Sequence, residues 1–455
     1  MKKTLKQLAE WLDEEQVEFE DTVVSGISID TRTIQKGDLF VPFRGENANG
    51  HKFVEQAFAK GAGASLWLKD EPNAPEGVPL LFVDDSELAL QAMARAYRAE
   101  HKAKFVGITG SNGKTSSKDI LAGILSPFFK VQKTVGNFNN QLGLPITILQ
   151  LDEDTDVAVL EMGMSGYGEI EFLTKLAQPH FAIITNIGEA HMQDLGSRAG
   201  IAKAKFEIVQ GLAKDGVLFF DGDEPLLQSL VAATNLQAKS FGLNESNYLY
   251  AKDIEETANG SRFTSHGALE GEFEISVLGK HQVKNTLGTM LIAKSLGLTD
   301  EDIRKALQQV RLTDMRMQLV EGVNGTLFIN DAYNAAPTSM NAAINFMQET
   351  TLRTDKWLIL GDMLELGEQE QKFHEDLANS IDPTHFNCIC LYGPRMKWLY
   401  TKLEGKYSPE KLVYSEDNYE PIIQHITENA DDNSIILLKG SRGMSLEKIL
   451  KACTQ

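Results

Sequence analysis

The run Gly110-Ser111-Asn112-Gly113-Lys114-Thr115-Ser116 carries the residue types that hold a polyphosphate. Glycines let backbone N–H groups turn toward an anion, a lysine adds positive charge, and a threonine hydroxyl suits the magnesium that accompanies a nucleotide. The run is two residues shorter than the common pattern G-x-x-x-x-G-K-[ST], which would need glycine where Ile108 stands. This argues for a nucleotide loop, and against a routine motor ATPase or GTPase. Glu161 directly follows the apolar "VAVL", and His191 comes just after the apolar run Phe181–Ile184 and the Gly188 turn. Both are candidate metal ligands, because bound groups collect where the strands of a parallel sheet end. Lys205 in "IAKAKFEIVQGL" reads differently. Helical spacing puts Ile201, Ala204, Ile208 and Leu212 on a core face and leaves Lys203, Lys205 and Glu207 as an ordinary solvated side. An unmodified ammonium there would also repel magnesium.

The elements that must position these residues follow from periodicity. Phe105, Val106 and Ile108 before the loop read as a buried strand, and Ile120, Leu121, Ile124 and Leu125 after it recur at helical spacing. Strands are expected at Val157 to Leu160, Phe181 to Ile184 and Val217 to Phe220, separated by helical pattern, which is the signature of a mostly parallel sheet. A second alternation begins near residue 315, with strands at Leu327 to Ile329, Trp357 to Leu360, Ile389 to Tyr392 and Ile435 to Leu438. Upstream, "SELALQAMARAYRAEH" predicts a helix with Leu88, Ala92, Ala96 and Ala99 on one side. Thr299 is placed to cap a helix whose first turn holds Asp300, Glu301 and Asp302. The expected fold class is α/β in three domains: a smaller N-terminal α/β domain over 1–101, a central domain with the phosphate loop over 102–312, and a Rossmann-like α/β domain over 313–455. Hinges fall near Lys102 to Lys104 and near residue 312.

Composition narrows the partners. A net charge of -20 disfavours nucleic acid and anionic membrane surfaces, which need clustered Lys and Arg. An anionic substrate must therefore meet local positive groups. Cys388, Cys390 and Cys453 form no C-x-x-C, so neither a disulfide framework nor a zinc site is expected, and the first two read as small core residues of a buried strand. "MKKTLKQLAEWLDEE" is an acidic amphipathic helix, not a secretion signal, and no apolar run has membrane-spanning length. A cytoplasmic protein without a membrane anchor is the expectation.

In combination, "TGSNGKTS", "VGNFNNQLGLP", "VLEMGMSGYGEI", "TNIGEAHMQDLGS" and "AKAKFEI" resemble the Mur ligase family of ATP-dependent amide-forming enzymes. "INDAYNAAPTSM", "LGDMLELG" and "KGSRGMSLE" resemble the branch that joins D-alanyl-D-alanine to UDP-N-acetylmuramoyl-tripeptide, and "SIDTRTIQKGDLFVPFRGENANGHKF" fits as well, so the likeness spans nearly the whole chain. The resemblance implies ATP and Mg2+, a monomer, and catalytic roles for Lys114, Glu161, His191 and Lys205. Thr115, Glu161 and His191 would bind magnesium. Lys205 matches the lysine that carries a carbamate in this family; a carbamate is an anion and can join the metal ligands where an ammonium cannot. Gly110 to Ser116, Asn285 with His281 nearby, Arg316, Asp331, Tyr333 and Asn334 match nucleotide positions. Asp30, Thr31, Arg32, Asn49, His51, Asn137 and Asn139 match positions for the UDP-sugar peptide, and Lys439 and Arg442 could meet the dipeptide's carboxylate. Ala336 stands where the family usually shows a second asparagine.

Rival readings remain within and beyond the family. The ligase adding the third peptide residue carries "DNPR", absent here, and the folylpolyglutamate synthases lack the N-terminal segment. A nucleotide-gated binding protein or a small-molecule kinase would use the same loop. The motifs leave open whether the tripeptide ends in lysine or diaminopimelate.

Overall fold

Every apolar run singled out above is a strand, and most extend one or two residues further than the apolar residues alone. The computed structural model describes residues 1–15, 17–45, 48–189, 192–257 and 260–454. They form two compact units, one of Met1–Thr109, Phe128–Ala182 and Glu207–Val217, the other of Gly110–Pro127, Ile183–Phe206 and Leu218–Gln455.

In the first unit, Ile27–Ser28, Leu39–Phe40, Ala64–Leu68 and Leu80–Val83 form a parallel sheet in that order. The helix Ser86–Glu100 is capped by Asp85, whose carboxylate accepts from the amides of Glu87 and Leu88. Its buried side is Leu90, Met93, Ala94 and Tyr97, while Leu88 is 66% exposed. The side picked from the sequence is therefore the outer one, because three alanines and a leucine bury less apolar surface than Leu, Met and Tyr together with Ala94. Val131–Lys133, Val157–Glu161 and Lys104–Thr109 lie side by side in parallel, with Glu161 opposite Ile108.

In the second unit, Val217–Asp221, Ala238–Gly242 and Leu249–Thr257 pair in parallel, and Gly260–Gly267 and Gly271–Ile275 continue the sheet antiparallel. A six-stranded sheet follows in the order Gln318–Glu321, Leu327–Asn330, Ser434–Lys439, Asp355–Gly361, Cys388–Tyr392, Leu412–Ser415, with only its first strand antiparallel. Period-two alternation divides its side chains between two cores. Leu358, Leu360, Ile389 and Leu391 join one, and Trp357, Ile359, Cys388 and Cys390 join the other. The cysteines are buried and free, as a strand-core role requires.

Thr299 caps Asp300–Leu307 in a reciprocal box with Asp302. Thr299→Ala should cost about 1 kcal/mol, read as a lower denaturant midpoint. An unchanged midpoint would mean that this cap adds nothing to stability. No described helix is long and apolar enough to cross a membrane.

Candidate active site

The phosphate loop is built from conformations only glycine takes easily. Gly110 has φ +152°, and a Cβ there would lie 1.8 Å from Thr185 Oγ1. Gly113, at φ +80°, is the N-cap of the helix Lys114–Leu125, and a Cβ there would meet the Asn285 amide at 2.6 Å. The helix thus starts with its N–H groups directed into the loop. Lys114 Nζ donates to Gly110 O at 2.8 Å. Asn186 clamps the loop from beside it: its carbonyl accepts from Ser111 N (3.1 Å), its side-chain oxygen accepts from Asn112 N (3.0 Å), and its amide donates to Asn112 O (2.9 Å). Sequence reading passed over Asn186, although an asparagine two residues beyond the strand Phe181–Ile184 was a visible signal.

Around this loop the second unit gathers most of the expected nucleotide residues. Gln282 donates to Ser116 Oγ (3.3 Å) and receives the Asn285 amide (3.3 Å). Arg316 donates to Thr115 Oγ1 (3.3 Å), and its guanidinium lies over the Tyr333 ring at 4.2 Å. Ser111 Oγ, Asn112 Nδ2 and Arg316 Nε are buried without a hydrogen-bond partner. Orphaned donors are costly unless a ligand meets them, and these three suit phosphate and ribose oxygens. Half-buried His281 is held below the ordinary imidazole value by burial, which outweighs the pull of Asp331.

Lys205 corrects the spacing argument. The expected core residues Ile201, Ala204 and Ile208 are buried, but so are Gly200 and Ala202 on the helix Arg198–Phe206, so its covered surface is wider than one stripe. Lys203 stays exposed, but Lys205 is 1% exposed. Burial first, and Lys114 second, press its proton affinity well below the ordinary lysine value. Its amine therefore gives up its proton more readily than an ordinary lysine. Glu207 is not a free solvated side chain either, since it accepts from the amides of Gly168 and Glu171.

Glu161 closes its strand, 4% exposed, in the first unit. Its amide donates to Thr134 Oγ1 (2.9 Å) and its Oε1 accepts from Asn139 Nδ2 (3.0 Å). His191 lies outside the described residues. The Thr115 hydroxyl and a carbamate formed on Lys205, in the second unit, and the buried Glu161 carboxylate, in the first, are each a hard oxygen donor of the kind magnesium takes. Among the described residues, no three His, Cys, Asp or Glu side chains gather as a metal site by themselves.

The remaining expected residues are mostly engaged within the protein. Lys439 is 3% exposed, and its ammonium meets Asp331 Oδ2 at 2.6 Å and Asn334 O at 3.2 Å. Arg442 pairs with Glu447 at 2.6 Å. In the first unit Arg32 pairs with Asp30 at 2.6 Å and lowers that carboxyl to about 2. Thr31 Oγ1 reaches Gln56 (3.4 Å). His51 is buried, with one ring nitrogen on Asn49 Oδ1 (2.9 Å) and the other accepting from Leu68 N (3.3 Å), so it fixes Asn49. Glu71, unmarked in the sequence, receives the Asn49 amide (2.9 Å) and pairs with Arg44 (2.7 Å). Asn137 is exposed.

Comparison with known proteins matches the chain to family models in three places. These are the Mur ligase family catalytic domain over residues 23–98, the Mur ligase middle domain over 108–293, and the Mur ligase glutamate ligase domain over 315–442. The chain is 43% identical over 453 residues to UDP-N-acetylmuramoyl-tripeptide--D-alanyl-D-alanine ligase of Bacillus subtilis, covering 99% of this chain and 98% of that one. Among solved structures, MurF from Acinetobacter baumannii matches with a TM-score of 0.88 at 30% identity, covering 99% of this chain and 98% of that one. A MurF ligase from Thermotoga maritima in complex with ADP matches with a TM-score of 0.83 at 26% identity, over 94% and 97%.

Proposed function

The chain belongs to the Mur ligase family, and from that premise we propose that it joins D-alanyl-D-alanine to UDP-N-acetylmuramoyl-tripeptide at the expense of ATP, giving the pentapeptide precursor of peptidoglycan. The observation that carries this reading is the 43% identity, over 99% of the chain, to a relative bearing that name. The orphaned donors around the phosphate loop support the nucleotide half of it independently.

A carboxylate does not acylate an amine at neutral pH, because oxide is too poor a leaving group. Transfer of the ATP γ-phosphoryl to the tripeptide's terminal carboxylate makes an acyl phosphate. The amine of D-alanyl-D-alanine attacks its carbonyl carbon, the C–O bond to phosphate breaks, and amide, ADP and phosphate result. The chain contributes position and charge. The amides of Gly110 to Ser116 hold the phosphates and Lys114 offsets their charge. Asn285 is assigned to the base, with His281 nearby, and Arg316, Asp331, Tyr333 and Asn334 to the ribose, the phosphates and the closing interface. Bound magnesium supplies charge neutralisation on the transferring phosphoryl. Thr115, Glu161 and His191 are the residues proposed to hold it, with a carbamate on Lys205.

The sugar-peptide is assigned to 1–101 together with Asn137 and Asn139, ATP to 102–312, and closure over the nucleotide and the dipeptide to 313–455. The family models fall inside these limits, at 23–98, 108–293 and 315–442. The enzyme is proposed to act as a monomer in the cytoplasm.

The test is ADP release with ATP and magnesium, the tripeptide nucleotide and D-alanyl-D-alanine being supplied separately and together. Release only with both, and a pentapeptide mass, is expected. Release with neither, or phosphoryl product without amide, would return the chain to the nucleotide-gated or kinase reading.

A further inference from the structure

The first unit contains a cavity of about 230 Å3 whose lining includes Asn140, Gln141, Gly163, Tyr167, Glu169 and Phe172. It adjoins Glu161. Gly163 lies two residues beyond Glu161, its amide donates to Asn139 O (2.8 Å), and the Asn139 side chain holds Glu161. Asn140, the next residue, is on the cavity wall.

The cavity has a definite chemical character. Phe172 and Leu173 give it an apolar wall, and Tyr167, 56% exposed, adds an aromatic ring. Among the described residues of the lining, Glu169 is the one charged side chain and none is Lys, Arg or His. Its carboxylate is oriented by the amides of Ser165 (2.9 Å) and Gly166 (3.1 Å), one on each oxygen, and each oxygen keeps acceptor capacity for a further donor. Such a cavity suits a methylene stem ending in a cation.

In the ligase reading, on which this inference rests, the carboxyl that is phosphorylated belongs to the third residue of the tripeptide and has to sit beside Glu161. The side chain of that residue leaves the same α-carbon, so it must be housed close by. We infer that this cavity receives the third side chain and selects a terminal amine without a carboxylate, as in L-lysine, against diaminopimelate, with Glu169 as the specificity-determining residue. The additional carboxylate of diaminopimelate would face Glu169 with no base among the described lining residues to meet it. Like charge at such a site acts as discrimination against the wrong substrate.

The experiment measures kcat/KM for UDP-N-acetylmuramoyl-tripeptides ending in L-lysine or meso-diaminopimelate, using the intact enzyme and the E169Q and Q141R variants. The unsubstituted enzyme should favour lysine by roughly tenfold or more. E169Q should bring the ratio toward one, mainly through a higher KM for the lysine substrate. Q141R places a guanidinium in the lining and should shift preference toward diaminopimelate. That gain carries the test even if E169Q weakens the loop it caps, because damage does not create a new preference. Equal or better use of diaminopimelate by the unsubstituted enzyme, or an unchanged ratio in Q141R, would overturn the inference. Amide product with neither tripeptide would overturn the ligase reading itself, so the two failures are told apart.

Discussion

Lys205→Ala is expected to cut turnover by roughly a hundred- to a thousandfold, the order of loss seen when one electrostatic group is removed from a reaction centre. Lys205 is all but fully buried, and burial together with Lys114 lowers its amine's proton affinity, which favours the neutral form. A neutral amine is the form that adds carbon dioxide: an N–C bond forms, a proton leaves, and the product is an anion with oxygen donors. Short carboxylic acids should therefore restore part of the activity to Lys205→Ala by occupying the space with a carboxylate. Stability should move the other way. The folded state holds the amine's proton less tightly, whereas the unfolded lysine binds a proton up to its ordinary value of 10.5. Between the depressed folded value and 10.5 the unfolded state binds more protons, so Lys205 lowers stability at neutral pH, and the penalty shrinks as pH rises. Lys205→Met in carbon-dioxide-free buffer should raise the melting temperature by about a few degrees, and more at pH 6 than at pH 9. Full activity in Lys205→Ala, or a lower melting temperature in Lys205→Met, would contradict this account.

The same residue shows where sequence legibility ends. The nucleotide loop was readable because its requirements are local: glycine at Gly110 and Gly113 answers to backbone angles and close neighbours, and the flanking periodicities switch within a few residues. Glu161 was readable because a carboxylate after four apolar residues has to emerge where the strand stops. Lys205 was not readable from spacing, since the expected core face is there, with Ile201, Ala204 and Ile208 buried, but the helix is covered on a wider surface that also takes in Gly200, Ala202 and Lys205. Only the family motif singled it out. The helix Ser86–Glu100 misled for a related reason: alanines on one side and larger apolar residues on the other each form a stripe, and which one is buried depends on what packs against it. Pairings between distant residues were the least legible. Lys439 and Asp331 are 108 positions apart, and the sequence marked both without indicating that each engages the other. His51 likewise was marked only as a candidate for the UDP-sugar, with no sign that its two ring nitrogens engage Leu68 and Asn49.

Lys114→Met tests both halves of the centre. The methionine keeps an apolar stem and loses the charge, and kcat should fall by roughly two to three orders of magnitude, as when a preorganised positive group is withdrawn from a transferring phosphoryl. A second effect follows from the pressure Lys114 exerts on Lys205. Without that ammonium the Lys205 amine gains proton affinity, so less of it is neutral at a given pH, and a carbamate formed there loses a stabilising cation. Both changes reduce the modified fraction. Burial, the larger cause, remains, so the reduction should be partial. Carbon-13 bicarbonate and NMR would read the labelled fraction against pH, and Lys114→Met should need a higher pH for half-labelling than the unsubstituted protein. Equal labelling at every pH would separate the two lysines and leave Lys114 a role on the nucleotide alone. No labelling in either protein would remove the carbamate from the mechanism and leave Thr115, Glu161 and His191 as the proposed magnesium ligands.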